Sequence, residues 1–174
     1  MCHIVTENNE FRYLNVIVEA LEDFYRHDYA LLSTGRLTHE QTVSFRLGMY
    51  LAQRLEPHND RLFVDCEYHG DMYNPERRKI VNGRNIRPDI IYHDRGWQNE
   101  FCVEMKIGSL TQADYEKLNG LISQYGYHEA YGICNIGERF VTVDVISPRH
   151  TNKGVRYQLR YNRAQQKLEL RHRR

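Results

Sequence analysis

The sequence predicts one α/β domain of the α+β kind, with helices flanking a mixed sheet. Three observations predict it. Two segments of helical period precede the first alternating run, a third helical segment separates two groups of strand-like runs, and 174 residues suit one domain with a real core. Hydrophobic residues at 41% and charged residues at 27% exclude a disordered or fibrous chain. The net charge of +1 gives no global attraction to nucleic acid, so any basic surface must come from local clustering. Cys2, Cys66, Cys102 and Cys134 stand alone, three of them in apolar strand-like runs, and read as reduced thiols of an intracellular protein. No apolar run reaches the roughly 20 residues that cross a bilayer, and the N-terminus lacks a signal-peptide pattern, so a cytoplasmic location off the membrane is expected.

From Asn9 to Leu32, helical spacing of Phe11, Leu14, Val18, Leu21 and Tyr25 predicts an amphipathic helix. Ser33, Thr34 and Gly35 break it. Thr38 and Gln41 form a Thr-x-x-Gln capping box that starts a second helix through about Leu55, stopped by Pro57. Val43, Leu47 and Leu51 make its buried stripe, and Glu40 lies on the same face. The helix dipole alone accounts for an acid in that first turn; a functional acid is the alternative. Arg61 to Tyr68 alternates as a strand, with Leu62, Val64, Cys66 and Tyr68 opposed to Phe63, Asp65 and Glu67. Gly70 to Asn85 reads as an irregular, locally basic loop carrying Arg77, Arg78, Lys79 and Arg84, which could contact phosphates or simply be solvated.

The stretch from Arg87 to Lys106 organises the rest. Pro88 and Asp89 open one strand, a turn follows at Asp94, Arg95, Gly96 and Asn99, and Phe101 to Lys106 forms the next. Its period of two puts Phe101, Val103 and Met105 on one face and Cys102, Glu104 and Lys106 on the other. Neighbouring strands would bring Asp89 to Glu104. Thr111 and Asp114 mark a cap, Tyr115 to Tyr125 a helix, and Gly126 its end, with Gly120 a weak point inside. Ala130 to Ile136 and Arg139 to Ser147 read as a hairpin, the first strand parallel to the central group through a crossover. A last hairpin, Val155 to Tyr161 and Lys167 to Arg171, sets Arg156 and Arg160 opposite Val155, Tyr157, Leu159 and Tyr161, and the chain ends in a basic tail, Arg171, His172, Arg173 and Arg174, that reads as a frayed charged terminus or a contact to a nucleic-acid backbone.

Two carboxylates on adjacent strands suit a hard divalent cation such as Mg²⁺, with Mn²⁺ a substitute, and a lysine beside them can position an attacking water and offset charge on a phosphate. Asp89, Glu104 and Lys106 fit that demand. The bland reading makes Glu104 and Lys106 the wet face of a strand. Histidines without paired spacing, and the lack of Cys-x-x-Cys, a Gly-rich phosphate loop or a nucleophile elbow, set other chemistries aside. Tyr68, Tyr73 and Tyr92 near the expected cleft could stack on bases or pack in the core.

Pro88-Asp89 followed by Glu104-Met105-Lys106 resembles the PD-(D/E)xK nuclease superfamily, and FRLGMYL from Phe45, VDCEY from Val64 and RPDIIYHDRG from Arg87 look like small bacterial members of it. The resemblance covers about 38–136, with a nuclease-like core to about 147. It implies a restriction-endonuclease-like αβββαβ core with an added N-terminal helix and C-terminal hairpin. It also implies Asp89 and Glu104 as metal ligands, Lys106 as catalytic lysine, and Glu40 as a further acid, a role for which Glu67 competes. The expected activity is Mg²⁺-dependent endonucleolytic hydrolysis of DNA, RNA not being excluded, by a possible homodimer, with Arg77, Arg78, Lys79 and Arg84 as candidate nucleic-acid contacts. The alternative is a noncatalytic nucleic-acid-binding or assembly module on the same fold.

Overall fold

The computed structural model describes residues 10–33, 39–68 and 78–174. In chain order these form α1 (Leu14–His27), a 3-10 turn (Tyr29–Leu32), α2 (Glu40–Leu55), β1 (Phe63–Cys66), a short hairpin of β2 (Ile80–Val81) and β3 (Arg84–Asn85), β4 (Ile90–His93), β5 (Asn99–Met105), α3 (Gln112–Tyr125), β6 (Glu129–Cys134), β7 (Phe140–Ser147), β8 (His150–Asn162) and β9 (Lys167–Arg173). Seven strands make one sheet in the order β1-β4-β5-β6-β7-β8-β9. Only β5 and β6 run parallel, joined across α3, and every other neighbouring pair is antiparallel. The fold is thus mixed α/β with a mostly antiparallel sheet. The expected parallel crossover is present; the hairpin of Ile80–Val81 and Arg84–Asn85 replaces the last part of the expected irregular loop, turning at Asn82 and Gly83.

The alternation of β5 divides the core. Phe101, Val103 and Met105 face α1 and α2 with Tyr131, Ile133, Val143 and Leu159, whereas Cys102 joins Ile91, Leu118, Leu121, Ala130 and Ile146 under α3. Helix α1 is shorter than its pattern predicts, because Asp28 leaves the helix to accept hydrogen bonds from Arg46 Nε (2.7 Å) and the Tyr50 hydroxyl (2.6 Å) of α2. No side chain of its own caps its start; the Glu129 carboxylate on β6 accepts from the backbone N–H groups of Arg12 (2.6 Å) and Tyr13 (3.0 Å) instead. On α2, Val43, Leu47 and Leu51 are fully buried as expected, and the helix comes so close to β1 that a Cβ on Gly48 would stand 2.4 Å from Cys66 Sγ. Thr38, half of the expected box, lies outside the described residues. The Thr111–Asp114 capping box of α3 is formed, and Gly126 ends the helix at φ +67°.

Two edges differ from expectation. Glu67 has φ +54°, which breaks the alternation of β1, so Tyr68 packs beneath α3 rather than beside Val64 and Cys66. The basic end of the chain is no frayed tail. Arg173 lies in β9 and pairs with Glu10, and Arg174 exchanges backbone hydrogen bonds with Arg156 (2.8 and 3.0 Å). Among the described residues no helix is long and apolar enough to cross a membrane.

Candidate functional site

Strands β4 and β5 pair with Ile90 opposite Val103, and the Asp89 N–H donates to the Val103 carbonyl (3.1 Å). That register holds Asp89 beside the end of β5, where its Oδ2 accepts from the Met105 N–H at 2.7 Å. Pro88, which has no N–H to donate, is buried at the entrance of the strand, where a ladder bond is not required. Glu104 points from β5 toward α3 and is only 4% exposed. Its two oxygens meet two ammoniums: Oε2 accepts from Lys117 of α3, and Oε1 lies 3.5 Å from Lys106 Nζ. Lys106, just past the strand, turns to α2 and donates to Glu40 Oε1 at 2.7 Å, while Glu40 Oε2 accepts from the Ile107 N–H at 3.3 Å.

The sequence-predicted Asp89, Glu104, Lys106 and Glu40 therefore come together in one cluster at the C-terminal end of β5. Glu67 does not join its hydrogen bonds and pairs with Arg87 instead. Lys117 is the member that sequence reasoning missed. It lies four residues before the buried Leu121, one helical turn, so it borders the α3 stripe that faces the sheet; a cation there was the available signal. It also donates to the Arg87 carbonyl at 2.7 Å, which ties α3 to the chain leading into β4.

Three carboxylates and two ammoniums leave the cluster short of positive charge. Burial and the neighbouring Asp89 charge push Glu104 up to about 7, against the pull of Lys117 and Lys106. Burial likewise raises Asp89, only partly offset by the Met105 hydrogen bond and the two lysines. Burial alone would lower Lys106, but the Glu40 hydrogen bond and the charges of Glu104, Glu40 and Asp89 hold it above its ordinary value. The opposite demands are consistent: each lysine sees several acids, while the acids see each other. Among the described residues no group of three or more His, Cys, Asp or Glu stands close enough to hold a metal ion by itself. The oxygen donors of Asp89 and Glu104 fit Mg²⁺, which commonly takes one or two carboxylates and completes its shell with water and substrate phosphate.

A cleft of about 420 Å³ opens beside Glu104 and Lys117, walled by Arg84, Asn85 and Arg87 of the β2–β3 side. Of the predicted phosphate contacts, Arg84 reaches this cleft and Arg78 is exposed. Arg77 and Tyr73 lie outside the described residues. Lys79 is corrected: it is buried, its ammonium 5.2 Å from the Tyr125 ring and 5.5 Å from that of Tyr127, where it serves packing rather than a bound phosphate. Tyr92 is also a core residue, against Tyr13 and Phe101, and Tyr68 packs on His93.

Over 72 residues the chain is 33% identical to homoserine kinase of Staphylococcus saprophyticus subsp. saprophyticus, a match covering 41% of this chain and 23% of that protein. The chain thus spans less than a quarter of that relative's length. No family model matches the chain. No solved structure matches it either.

Proposed function

We propose that the protein is a metal-dependent endonuclease that hydrolyses phosphodiester bonds of DNA. The observation that carries this reading is the convergence of Asp89, Glu104, Lys106 and Glu40 from two adjacent strands and a helix onto one charge-deficient point. In this reading α2, β1, β4, β5, α3 and β6 are a restriction-endonuclease-like core, with the β2–β3 hairpin inserted and α1 and β7–β9 added. Mg²⁺ held by Asp89 and Glu104 would supply Lewis acidity to the scissile phosphate. Lys106 keeps its proton, places an attacking water by hydrogen bonding and offsets the charge that grows on the phosphate. Glu40 is a positioning residue: its bond at 2.7 Å fixes where the Lys106 ammonium points. Lys117 pairs with Glu104 and lines the cleft through which a phosphate would approach. Arg84 and Arg87 line the approach. Cutting both strands of a duplex calls for two such centres, hence a homodimer.

One observation favours a noncatalytic nucleic-acid-binding module instead: both Glu104 oxygens already face lysines. Incubation of plasmid and single-stranded DNA with Mg²⁺, Mn²⁺ or EDTA separates the two. Cleavage only with metal, lost in folded Glu104→Gln and Lys106→Ala, is the expected result. A wild type that cuts nothing under any condition, or variants that cut as well as wild type, would end the nuclease reading.

A further inference from the structure

The C-terminal strands carry a charge excess that the rest of the chain conceals. Residues 139–174 hold ten Lys and Arg against two Asp and Glu, an excess of eight positive charges on a chain whose net charge is +1. Part of it is spent internally, on the Arg156–Asp144, Lys167–Glu22 and Arg173–Glu10 pairs. Another part lines a cleft of about 600 Å³ on the sheet face that α3 leaves uncovered, where Arg171 and His172 of β9 and the following Arg174 meet Gln158 of β8 and Phe140 of β7. Phe140 is 43% exposed although its neighbours Val141 and Val143 are buried. The Arg171 guanidinium stands 5.5 Å from its ring centroid, and Arg160 is its partner in register on β8.

The strand register connects this cleft to the candidate site. Met105 pairs with Ile133, so Lys106 is level with Cys134, which pairs with Thr142, which pairs with Gln158, which pairs with His172. Cys134, Thr142, Gln158 and His172 share one face of the sheet because partners in register point the same way, and Lys106, just past the end of β5, is level with them while its ammonium turns to Glu40 of α2. From β5 to β9 there are four strand spacings of about 4.8 Å, roughly 19 Å. The segment around Ser109, whose hydroxyl donates to Asn135 Oδ1 at 3.1 Å, lies beside this path.

We infer that the uncovered face of β7–β9 binds a single strand of DNA, its phosphates on Arg171, Arg174 and Arg160 and one base on Phe140, and leads it along the sheet toward Lys106. A polyanion matches the charge, and an exposed aromatic ring beside a guanidinium matches an unpaired base, whose π-face a duplex would hide. The inference rests on the nuclease reading for its substrate and names where that substrate lies beyond the reacting bond.

The test is fluorescence anisotropy of a labelled oligothymidine in EDTA, where no cleavage can occur, with the same length of oligouridine and of DNA duplex as competitors. Phe140→Ala is expected to weaken binding roughly tenfold, and Arg171→Glu with Arg174→Glu to weaken it further and flatten the slope of log affinity against log salt by about 1.4. Arg61→Glu, at an exposed position before β1 on the opposite edge, should leave it unchanged. Thermal unfolding of each variant separates lost binding from lost fold, and Phe140→Tyr, which keeps the stacking face, restores affinity. Wild-type affinity in the Phe140 and Arg171/Arg174 variants, tighter binding of oligouridine or duplex, or no binding at low salt would overturn the inference. The nuclease reading fails separately, by absence of metal-dependent cleavage while these binding losses persist.

Discussion

Replacing Arg156 by Met should destabilise the protein strongly for a change at a part-exposed charge. Asp144 is fully buried on β7, and its carboxylate accepts from Arg156 Nε at 2.7 Å, Arg156 Nη2 at 2.8 Å and the Tyr115 hydroxyl at 2.6 Å. The triad links β7, β8 and α3, the helix that carries Lys117. Without the guanidinium, a desolvated carboxylate keeps one hydroxyl donor and no countercharge, a loss of the kind that costs about 3–5 kcal/mol. Arg156 is 39% exposed, so water can reach the vacated side, which places the loss near the lower end, about 3 kcal/mol. For a domain of this size that lowers Tm by roughly 6–12 °C, read by circular dichroism at pH 7. Arg156→Met combined with Asp144→Leu should recover most of it, because no unpaired charge remains. A fall of under about 2 °C in the single variant, or no recovery in the double, would refute the argument that the buried carboxylate sets the cost.

Three further outcomes follow from the same structure. Glu104 is an acid whose folded pKa is raised to about 7 by burial and Asp89, so its stability contribution is present below the unfolded value and lost as pH rises through about 7; Glu104→Gln should therefore stabilise the metal-free protein at pH 8 by on the order of 1–2 kcal/mol and leave it nearly unchanged at pH 5, measured by urea unfolding. Asp65 has the opposite sign. Burial alone would raise it, but Arg95 (2.7 and 2.8 Å) and His93 (3.0 Å) hold it well below the usual carboxylate range, so its contribution is present above the unfolded pKa and fades as pH falls below about 4; Asp65→Asn should cost about 2 kcal/mol at pH 7, with the gap from wild type closing in acid. Gly120→Ala should destabilise by about 1–3 kcal/mol despite the better helix propensity, since its Cβ would stand 2.4 Å from Val81 Cγ1 and unseat the β2–β3 hairpin that brings Arg84 to the cleft; the amides of 80–85 should lose hydrogen-exchange protection, and a gain in stability would contradict the packing argument.

Much of this fold was legible because period and caps are local properties. The two-residue period of β5 gave the two faces of the sheet, the Thr111–Asp114 box and Gly126 bounded α3, and the Pro88-Asp89 and Glu104–Lys106 spacing anticipated that Asp89, Glu104 and Lys106 lie together. What the sequence did not yield depends on contacts between distant segments. Lys117 belongs to the cluster because α3 crosses the end of β5. Lys79 looked like one more cation in a basic loop, and only the Tyr125 and Tyr127 rings bury it. A near-neutral total hid the basic face of β7–β9, since charge balance over a chain says nothing about where the sheet gathers one sign. The positive φ of Glu67 is likewise invisible in a pattern of alternation, yet it decides which side Tyr68 takes.

The most direct measurement on the central claim is a Mn²⁺ titration followed by electron paramagnetic resonance, with the free-ion signal reporting unbound metal. The account predicts saturable binding by the wild-type protein that Asp89→Asn and Glu104→Gln each abolish and that Lys106→Ala, which removes a competing cation from Glu104, retains. Binding unaffected by the two carboxylate variants, or no binding by any of the four proteins, would contradict the assignment of this cluster as a metal-dependent centre.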